Sequence, residues 1–526
     1  MKRESGATLP VWVENIQMPA TTPLRDNITC DVCVVGAGLA GMTTAYLLAK
    51  EGKHVVVVEA KKIAGGETSR TTAHLANALD DRFTELVRLF GVEGARLAAQ
   101  SHGKAIDKIE EIAKDLNIDC EFKRIDGYLF ANNREEEEEL TQELEALQKI
   151  GWLDVVLRKK CPVDTLTALP CLQFPNQARF HVLKYLAGVS AAFLEAGGQI
   201  FTETKIVRFD TGPVVTVVSE EDFAVSANQL VVATNSPVSN MFSMHTKQAP
   251  YRTYVVAAAV PRGVVPDNLY WDMQDPYHYV RLLHGSSTDA DTDNDKDRTE
   301  QTSTAAGTDL LIVGGADHKT GQEEHPEKHL ADLERWMRLK FPMAGELQYS
   351  WSGQVLEPVD GLAFIGRNPG DSKNVYIATG DSGHGMTHAT IAGMLITDLI
   401  MGRPNPWEKL YDPARTNLKS SGEFLKENLN VAAQFKDYVT GGEVDDPAHV
   451  MPGTGKIMRK GMSKVAVYCD EQGVQHQCSA VCTHMGCIVN WNNVERSWDC
   501  PCHGSRFDPY GRVITGPATK DLDKAE

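Results

Sequence analysis

The last quarter of the chain contains two pairs of cysteine and histidine, and these pairs constrain the fold more than any other feature. Cys482 stands two residues before His484, Cys500 stands three residues before His503, and each pair precedes a turn. Such side chains suit a [2Fe–2S] cluster with both cysteines on one iron and both histidines on the other. They also suit zinc. Because short strands with glycine turns begin near Gly441, we expect a small all-β domain around this site.

A second pair of cysteines favours the cluster over zinc. Cys487 and Cys502 stand at matching places in the two loops, which a zinc site does not require. With fifteen residues between His484 and Cys500, the region 441–526 resembles the Rieske family. The resemblance implies four cluster ligands and one disulfide, namely Cys482, His484, Cys500 and His503 as ligands and Cys487–Cys502 as the disulfide.

Two further positions affect the redox potential expected of such a cluster. Ser505 falls where high-potential Rieske proteins have a hydroxyl donor to a cluster sulfide, and such hydrogen bonds stabilise the reduced cluster. Phe507 falls where several of those proteins have tyrosine, so one donor is missing. We therefore expect a potential somewhat below that of the respiratory-chain type.

Composition limits the possible partners and the cellular location. The net charge of −18 argues against nucleic acid and anionic membranes as main partners, and favours a small polar or cationic substrate or a basic redox protein. The sequence begins without a signal pattern and has no run close to the ~20 apolar residues of a membrane span. We therefore expect a cytoplasmic protein without a transmembrane segment.

A glycine-rich turn near the N-terminus predicts dinucleotide binding. The pattern Gly36-x-Gly38-x-x-Gly41 follows an apolar strand and opens a helix. Its glycines allow a tight turn, close approach of the backbone to a pyrophosphate and close packing of helix on strand. Glu59 ends the next strand 18 residues after Gly41, where a carboxylate can accept hydrogen bonds from ribose hydroxyls.

Later segments favour FAD over NAD. The segment 65–74 is rich in Ser and Thr, and 375–401 has the pattern of a strand, a glycine-rich turn and a helix whose N-terminus could donate N–H bonds to a flavin ring. With 231–236 and 360–366, these segments resemble the D-amino-acid oxidase/glycine oxidase superfamily over about residues 28–402. The cofactor-binding residues that we predict are Gly36, Gly38, Gly41, Glu59, Thr68, Ser69, Arg70, Gly380, Asp381, Gly383, His384, Gly385 and Met386.

The two resemblances imply a fold class and a domain order. We expect an α/β, Rossmann-like FAD-binding domain with an interleaved α+β substrate domain, and then a small all-β Rieske domain. The FAD-binding parts are expected mainly at 28–85, 185–240 and 355–402, and the substrate-facing parts mainly at 86–184 and 241–354. The remaining parts are a linker with a helix at 403–440 and the Rieske domain at 441–526.

The superfamily oxidises C–N bonds of amines and amino acids by hydride transfer to the flavin, so the resemblance implies such an enzyme. A flavin accepts two electrons together, whereas a Rieske cluster passes one at a time. The fusion, which resembles a bacterial family of FAD-dependent oxidoreductases with a C-terminal Rieske domain, therefore indicates electron flow to an external acceptor protein or quinone. Two alternatives stay open: an amine oxidase that reduces O₂ directly, and a redox sensor or electron-transfer module with reverse flow.

Two residues are candidates for a catalytic role. His74 lies in a Ser/Thr-rich segment where some related amine dehydrogenases carry a flavin-linking histidine, and it could be covalently linked, in non-covalent contact with the flavin, or structural. Arg281 falls in a segment expected to face the substrate. It could pair with a substrate carboxylate in bidentate fashion, or be an ordinary surface or interdomain arginine.

Two local patterns give expectations for the structure. Residues 82–150 look helical and end in an acidic, amphipathic stretch. Residues 285–308 place aspartates at alternate positions with Glu300 twelfth, which resembles a calcium loop, although Asn294 stands where such loops have glycine. A disordered surface loop is the alternative for that segment.

Overall fold

The computed structural model describes residues 5–238, 244–285, 307–438 and 440–525. Nearly all of the acidic segment 285–308 lies outside the described residues, so its calcium-binding and surface-loop alternatives stay open. The helices are α1 (Leu39–Lys50), α2 (Arg82–Asp115), α3 (Arg134–Lys149), α4 (Val182–Glu195), α5 (Glu327–Lys340), α6 (Gly385–Ile400), α7 (Glu408–Tyr411) and α8 (Ser421–Gln434).

The strands fall into a large unit, residues 5–411, and a small unit, residues 440–525. Those of the large unit are β1 (Ile28–Val35), β2 (Val55–Val58), β3 (His74–Leu75), β4 (Lys123–Phe130), β5 (Val156–Arg158), β6 (Cys171–Arg179), β7 (Gln199–Phe201), β8 (Ile206–Asp210), β9 (Val215–Ser219), β10 (Ala224–Val232), β11 (Gln248–Pro261), β12 (Leu269–Asp272), β13 (His278–His284), β14 (Thr308–Lys319), β15 (Leu347–Pro358), β16 (Phe364–Arg367) and β17 (Val375–Thr379). Those of the small unit are β18 (Gly455–Lys460), β19 (Ser463–Cys469), β20 (Gln475–Ser479), β21 (Asn490–Asn492), β22 (Ser497–Asp499), β23 (Arg506–Phe507) and β24 (Val513–Thr515).

The first sheet of the large unit has the order β16-β17-β10-β1-β2-β7, with the β8–β9 hairpin attached to β10. Strands β17, β10, β1, β2 and β7 are parallel, and β16 is an antiparallel edge. The central strands are continuous apolar runs; Val55–Val58, for example, is buried at all four positions. Such runs are expected where both faces of a parallel sheet are covered. Helices α1, α4 and α6 contribute to the core on one face.

The second sheet of the large unit has the order β15-β11-β14-β13-β12-β4-β6-β3, with β5 beside β6. Strand β4 interrupts the stretch 82–150, so the prediction of helix throughout that stretch is wrong. Two helices flank the strand, and β4 pairs with β12 on one side and β6 on the other. These partners are distant in sequence, so a pattern found within residues 82–150 alone cannot indicate them.

The small unit consists of a three-stranded sheet, β18-β19-β20, and a four-stranded sheet, β21-β22-β23-β24, both antiparallel. One loop leaves β20 and carries Cys482 and His484, and a second loop between β22 and β23 carries Cys500 and His503. In the linker, α8 is tied to the large unit by the ion pair between Lys319 and Glu427. None of the helices in the described part of the chain has both the length and the apolar character that a membrane span requires.

Candidate functional site

A cavity of about 430 Å³ opens at the carboxyl ends of the parallel strands. Val35, Val58, Ala233 and Thr379, which end or follow β1, β2, β10 and β17, all line it. Residues of the second sheet and of the small unit complete its wall. In open α/β sheets, ligands bind in the crevice at this edge.

The glycine-rich turn borders this cavity. Gly36 has φ +110°, and a Cβ there would lie 2.4 Å from the carbonyl oxygen of Ala233. A Cβ at Gly41 would lie 1.9 Å from the carbonyl oxygen of Gly36, so this position lets α1 pack against the turn, although Gly41 does not line the cavity. Glu59 accepts a hydrogen bond from the amide of Ala37 at 2.7 Å and also lines the cavity.

The second predicted segment is a short 3₁₀ helix, Glu67–Arg70. Thr68 and Arg70 line the cavity, and Thr68 Oγ1 accepts a hydrogen bond from the amide of Leu39 at the start of α1. Ser69 is not among the lining residues; its hydroxyl donates to the carbonyl of Gly66 at 3.0 Å. The segment therefore brings two of the three predicted side chains to the cavity.

The third predicted segment lies between β17 and α6. Five of its six predicted residues line the cavity: Asp381, Gly383, His384, Gly385 and Met386. Gly380 does not, but its φ of +72° and the proximity of Pro358 to its Cβ position explain glycine in this turn. The N-terminus of α6 therefore borders the cavity, as expected of a segment that faces a flavin.

The cavity wall carries buried polar atoms that have no hydrogen-bond partner among the described residues, and a polar cofactor would satisfy them. These atoms are Glu67 Oε1, His74 Nε2, Asn235 Nδ2, Gln354 Oε1 and His388 Nε2. Together with the glycine turn, this wall fits a dinucleotide. Sequence reasoning missed Gln354, which lies within a strand and belongs to no motif.

His74 lines the cavity, and its ring packs edge-on against Tyr279 with a centroid separation of 5.2 Å. A hydrogen bond of 3.1 Å joins its Nδ1 to Thr72 Oγ1. Burial, and next the charge of Arg281, lower the pKa of His74 to about 3, so the ring is neutral. The position is compatible with contact to a flavin, and the covalent, non-covalent and structural alternatives all stay open.

Aromatic side chains from the second sheet contribute to the same cavity, namely Trp271, Tyr277 and Tyr279. Asp80 and His384 lie beside them and form an ion pair of 3.3 Å. Burial would lower the pKa of His384, but Asp80 raises it above its ordinary value. This part of the wall therefore combines aromatic faces with a carboxylate and a histidine that can hold a proton.

Arg281 has a different environment from the one proposed for substrate binding. It is 1% exposed, and its Nη1 donates to the carbonyls of Thr72, Ala73 and Phe180. Its guanidinium lies over the ring of Trp12, and the residue is not among those that line the cavity. Arg281 is therefore neither a surface arginine nor a lining residue, and its Nη1 ties the segment before β3 to its neighbours. Its Nη2 is buried without a partner among the described residues, and a role at the substrate stays a prediction.

The four predicted cluster ligands come together in the small unit. Cys482, His484, Cys500 and His503 are all less than 10% exposed. The centroids of the two histidine rings are 5.0 Å apart. A hydrogen bond between the cysteines lowers the pKa of Cys482 to about 7, although burial alone would raise it. Nδ1 of His503 is buried without a hydrogen-bond partner among the described residues, as expected of a ligand atom.

A disulfide joins the two loops, as the resemblance implies. Cys487 and Cys502 are bonded, and their sulfurs lie within 4.8 Å of that of Cys500. The amide of Cys482 donates to the carbonyl of Cys487, which closes the first loop. The hydroxyl of Ser505 accepts a hydrogen bond from the amide of Ala518, which leaves its own proton free for a cluster sulfur.

Among the contacts between the cluster loops and the large unit, two involve the cavity wall or the histidine ligands. Gln354, which lines the cavity, donates a hydrogen bond of 3.1 Å to the carbonyl of Gly504, the neighbour of His503. The buried ring of His245 packs against both predicted histidine ligands, with centroids 4.9 Å from His484 and 5.8 Å from His503. The cavity and the cluster loops are therefore neighbours.

Comparison with known families agrees with both sites. The family described as FAD dependent oxidoreductase matches residues 31–399, and the Rieske [2Fe-2S] domain matches residues 443–526. The chain belongs to the FAD-dependent oxidoreductases and carries a Rieske domain. It is an enzyme that binds FAD and a [2Fe–2S] cluster.

Relatives and solved structures agree with this assignment. The chain is 30% identical over 520 residues to YhfW of Bacillus subtilis (strain 168), named a Rieske 2Fe-2S iron–sulfur protein, covering 98% of this chain and 97% of that one. It is 26% identical to the gamma-glutamylputrescine oxidoreductase of Escherichia coli (strain K12), over 72% of this chain and 85% of that one. Glycine oxidase from Geobacillus kaustophilus superposes with a TM-score of 0.57 at 16% identity, over 74% of this chain and 100% of that one. L-proline dehydrogenase from P. horikoshii superposes with a TM-score of 0.58 at 18% identity, over 74% of this chain and 98% of that one.

Proposed function

We propose that the enzyme oxidises a C–N bond of an amine or amino acid and passes the electrons singly to an external acceptor protein or quinone. When bound, FAD would supply hydride acceptance and the cluster one-electron transfer. The observation that carries the proposal is the short separation of the two sites. A single side chain, Gln354, lines the cavity and is hydrogen-bonded to the cluster loop at Gly504.

The proposal assigns each site its residues. The cluster would be held by Cys482, His484, Cys500 and His503. The predicted FAD residues that line the cavity are Gly36, Gly38, Glu59, Thr68, Arg70, Asp381, Gly383, His384, Gly385 and Met386. Gly41, Ser69 and Gly380 would act through the backbone geometry of their turns.

The charges of the cavity favour an amine over an amino acid as substrate. Among the lining residues in the described part of the chain, Arg70 is the only arginine, and its guanidinium donates to Ser352, Thr8 and Glu495. It therefore has little capacity left for a substrate carboxylate. The two lysines that line the cavity, Lys61 and Lys205, lie beside Glu59 and Asp521 at the end of the glycine turn, away from the aromatic residues. Asp80 and Asp381, in contrast, present carboxyl groups to the cavity, which suits an ammonium group beside the aromatic residues.

Oxidation of an amine requires the neutral base, so the substrate must lose a proton in the site. Burial lowers the pKa of both His74 and His388 to about 3, which makes them poor proton acceptors. Asp80 instead raises the pKa of His384. His384 Nε2 accepts a hydrogen bond from the amide of Asp80 at 3.0 Å and lies 3.3 Å from the carboxylate of Asp80. We therefore assign the pair of Asp80 and His384, and not one of its atoms, as the group that would take this proton.

Anaerobic mixing of the purified holoenzyme with primary, secondary and N-methylated amines, and with amino acids, tests the proposal. Flavin absorbance and electron paramagnetic resonance are recorded together. We expect amines to bleach the flavin and to produce the signal of a reduced Rieske cluster. His503→Ala should retain flavin bleaching and lose the cluster signal.

The other outcomes separate the alternatives. Flavin bleaching with a silent cluster, and hydrogen peroxide formation that is as fast in His503→Ala, would indicate a direct oxidase. If no compound reduces either centre while a partner protein exchanges electrons rapidly, the chain acts as an electron-transfer module. Reduction by amino acids but not by amines would contradict the substrate preference inferred from Arg70.

A further inference from the structure

One part of the wall of the flavin cavity comes from the small unit. The segment 513–519 begins in β24, and Val513, Ile514, Thr515, Gly516, Ala518 and Thr519 all line the cavity. The segment is fixed within its own unit by hydrogen bonds from the amide of Ala518 to Ser505 Oγ and from the amide of Val513 to Asp521. It is therefore a rigid surface that the small unit presents to the large unit.

This surface covers the end of the cavity where the dinucleotide motif lies. Its neighbours include Lys205, whose ammonium is 3.9 Å from Asp521, and Val238, whose Cγ1 is 3.2 Å from a Cβ placed at Gly516. Lys205 follows Thr204, whose amide donates to the carbonyl of Glu59 at 2.9 Å. Because Glu59 is the carboxylate expected at the ribose, the segment lies over the adenosine end.

A buried ion pair holds the two units in this arrangement. Arg70 lines the cavity, and its Nη2 lies 2.6 Å from Glu495 Oε1 of the small unit, with both side chains at most 3% exposed. Ser352 of the large unit donates to the same oxygen at 2.6 Å. Thr8 adds a further hydrogen bond to Glu495 from the N-terminal segment. Separation of the units would leave a buried charge on each side without its partner.

We propose that the FAD site is shared between the two units, with residues 513–519 of the Rieske domain contacting the adenosine half of the cofactor. Binding of FAD and docking of the Rieske domain then stabilise each other, because linkage between two equilibria is reciprocal. The Rieske domain is a fixed part of the cofactor site and does not swing between the flavin and an outside partner. The inference depends on FAD binding, which the family establishes, and not on the identity of the substrate.

Hydrogen exchange on the full-length wild type tests the shared site without any substitution. The protein is compared with FAD bound and after FAD is removed by dialysis, with the cluster present in both samples. We expect the six amides of residues 513–516, 518 and 519 to exchange at least tenfold faster without FAD, together with those of the glycine turn at 36–41. Equal exchange at 513–519 in both samples, with a change at 36–41, would overturn the proposal.

Two substitutions test the coupling from the other direction. Thr515→Trp fills the cavity from the small unit, and Glu495→Gln breaks the buried ion pair. We expect both to raise the Kd for FAD at least tenfold while iron content and the Rieske spectrum stay at wild-type levels. The matched control is Glu471→Gln, which removes an exposed ion pair with Arg496 on the same unit and should change the Kd less than twofold. An unchanged Kd in Thr515→Trp would contradict the shared site, whatever the effect of Glu495→Gln.

Discussion

Two groups of carboxylates in this protein, one buried and one half-buried, have opposite electrostatic environments. The junction cluster lies between the two units and consists of Arg70, Arg252, Glu495, Asp499 and Arg506. Burial alone would raise the pKa of Glu495, but the three arginines lower it to about 2. The carboxylate therefore stays charged even though it is 1% exposed.

The second group, called here the Asp81 group, consists of Asp81, Glu357 and Asp381 around Ser382. Burial raises the pKa of Asp81 and of Asp381 to about 6 and that of Glu357 well above its usual range. The hydroxyl of Ser382 lies within hydrogen-bond distance of both Asp81 and Glu357. One hydroxyl proton cannot serve both carboxyls fully, so a proton on one of them completes the network.

In both groups, burial disfavours the charged form of the carboxyl. Whether the carboxyl stays charged therefore depends on whether arginines lie close enough to offset burial. At the junction, arginines keep the acids ionised, and the ion pairs hold the two units together. Near the flavin cavity, burial outweighs the opposing charge of His384 and keeps the pKa of Asp81 and Asp381 raised. The same residue types thus hold the units together at one site and can exchange protons at the other.

The largest expected effect is the loss of one arginine from the junction cluster. Arg506 is fully buried and contacts Asp499, Ser497 and the carbonyl of Ser5. Arg506→Met should lower the free energy of unfolding by about 3–5 kcal/mol, because it leaves buried carboxylates without compensation. Urea denaturation of the holoenzyme measures this change. A loss below about 1 kcal/mol would show that the junction is solvated.

A second prediction concerns the response of the junction to acid. The pKa of Glu495 in the folded protein, about 2, lies below its ordinary value of 4.5, so its stabilising contribution is complete above pH 4.5 and is lost as the pH falls towards 2. The difference in unfolding free energy between wild type and Glu495→Gln should therefore shrink by about 2 kcal/mol from pH 5 to pH 3. A constant difference over this range would mean that Glu495 is not held ionised.

The Asp81 group should respond with the opposite sign. The pKa of Asp81 rises on folding from 3.8 to about 6, so this residue costs stability as the pH rises through that interval. Asp81→Asn removes the cost, and its unfolding free energy relative to wild type should increase by about 1 kcal/mol from pH 5 to pH 8. A decrease over the same interval would indicate that Asp81 has a cationic partner.

Sites built from residues that are close in sequence could be predicted better than sites built from distant ones. The predicted cluster ligands fall within 22 residues, Cys482–His503. Because iron restricts both the residue types and their spacing, the four side chains that the structure brings together could be named from the sequence. The glycine turn was predictable for a similar reason, since close approach at Gly36 excludes a side chain.

Other parts of the sites depend on tertiary contacts that leave no local pattern. Nothing in the local sequence marks Gln354 or Glu495, because the contact that matters for each is made with a residue of the other unit. Arg281 was a candidate substrate ligand because it falls in a segment expected to face the substrate, but its Nη1 donates to carbonyls of two other segments. Strand β4 likewise depends on neighbours that come from distant parts of the chain.

The smallest expected effect concerns an ion pair one residue away from the junction. Arg496 Nη1 lies 2.7 Å from Glu471 Oε1, almost the distance between Arg70 and Glu495, but its two side chains are 45% and 54% exposed. A double-mutant cycle with Glu471→Gln and Arg496→Gln should give a coupling energy of about 0.2–1 kcal/mol, because water screens the pair and competes for it. The corresponding cycle for Arg70→Gln and Glu495→Gln should give a larger value. Equal coupling energies would mean that distance, and not burial, sets the strength of these ion pairs. The contrast between the junction cluster and the Asp81 group would then need another explanation.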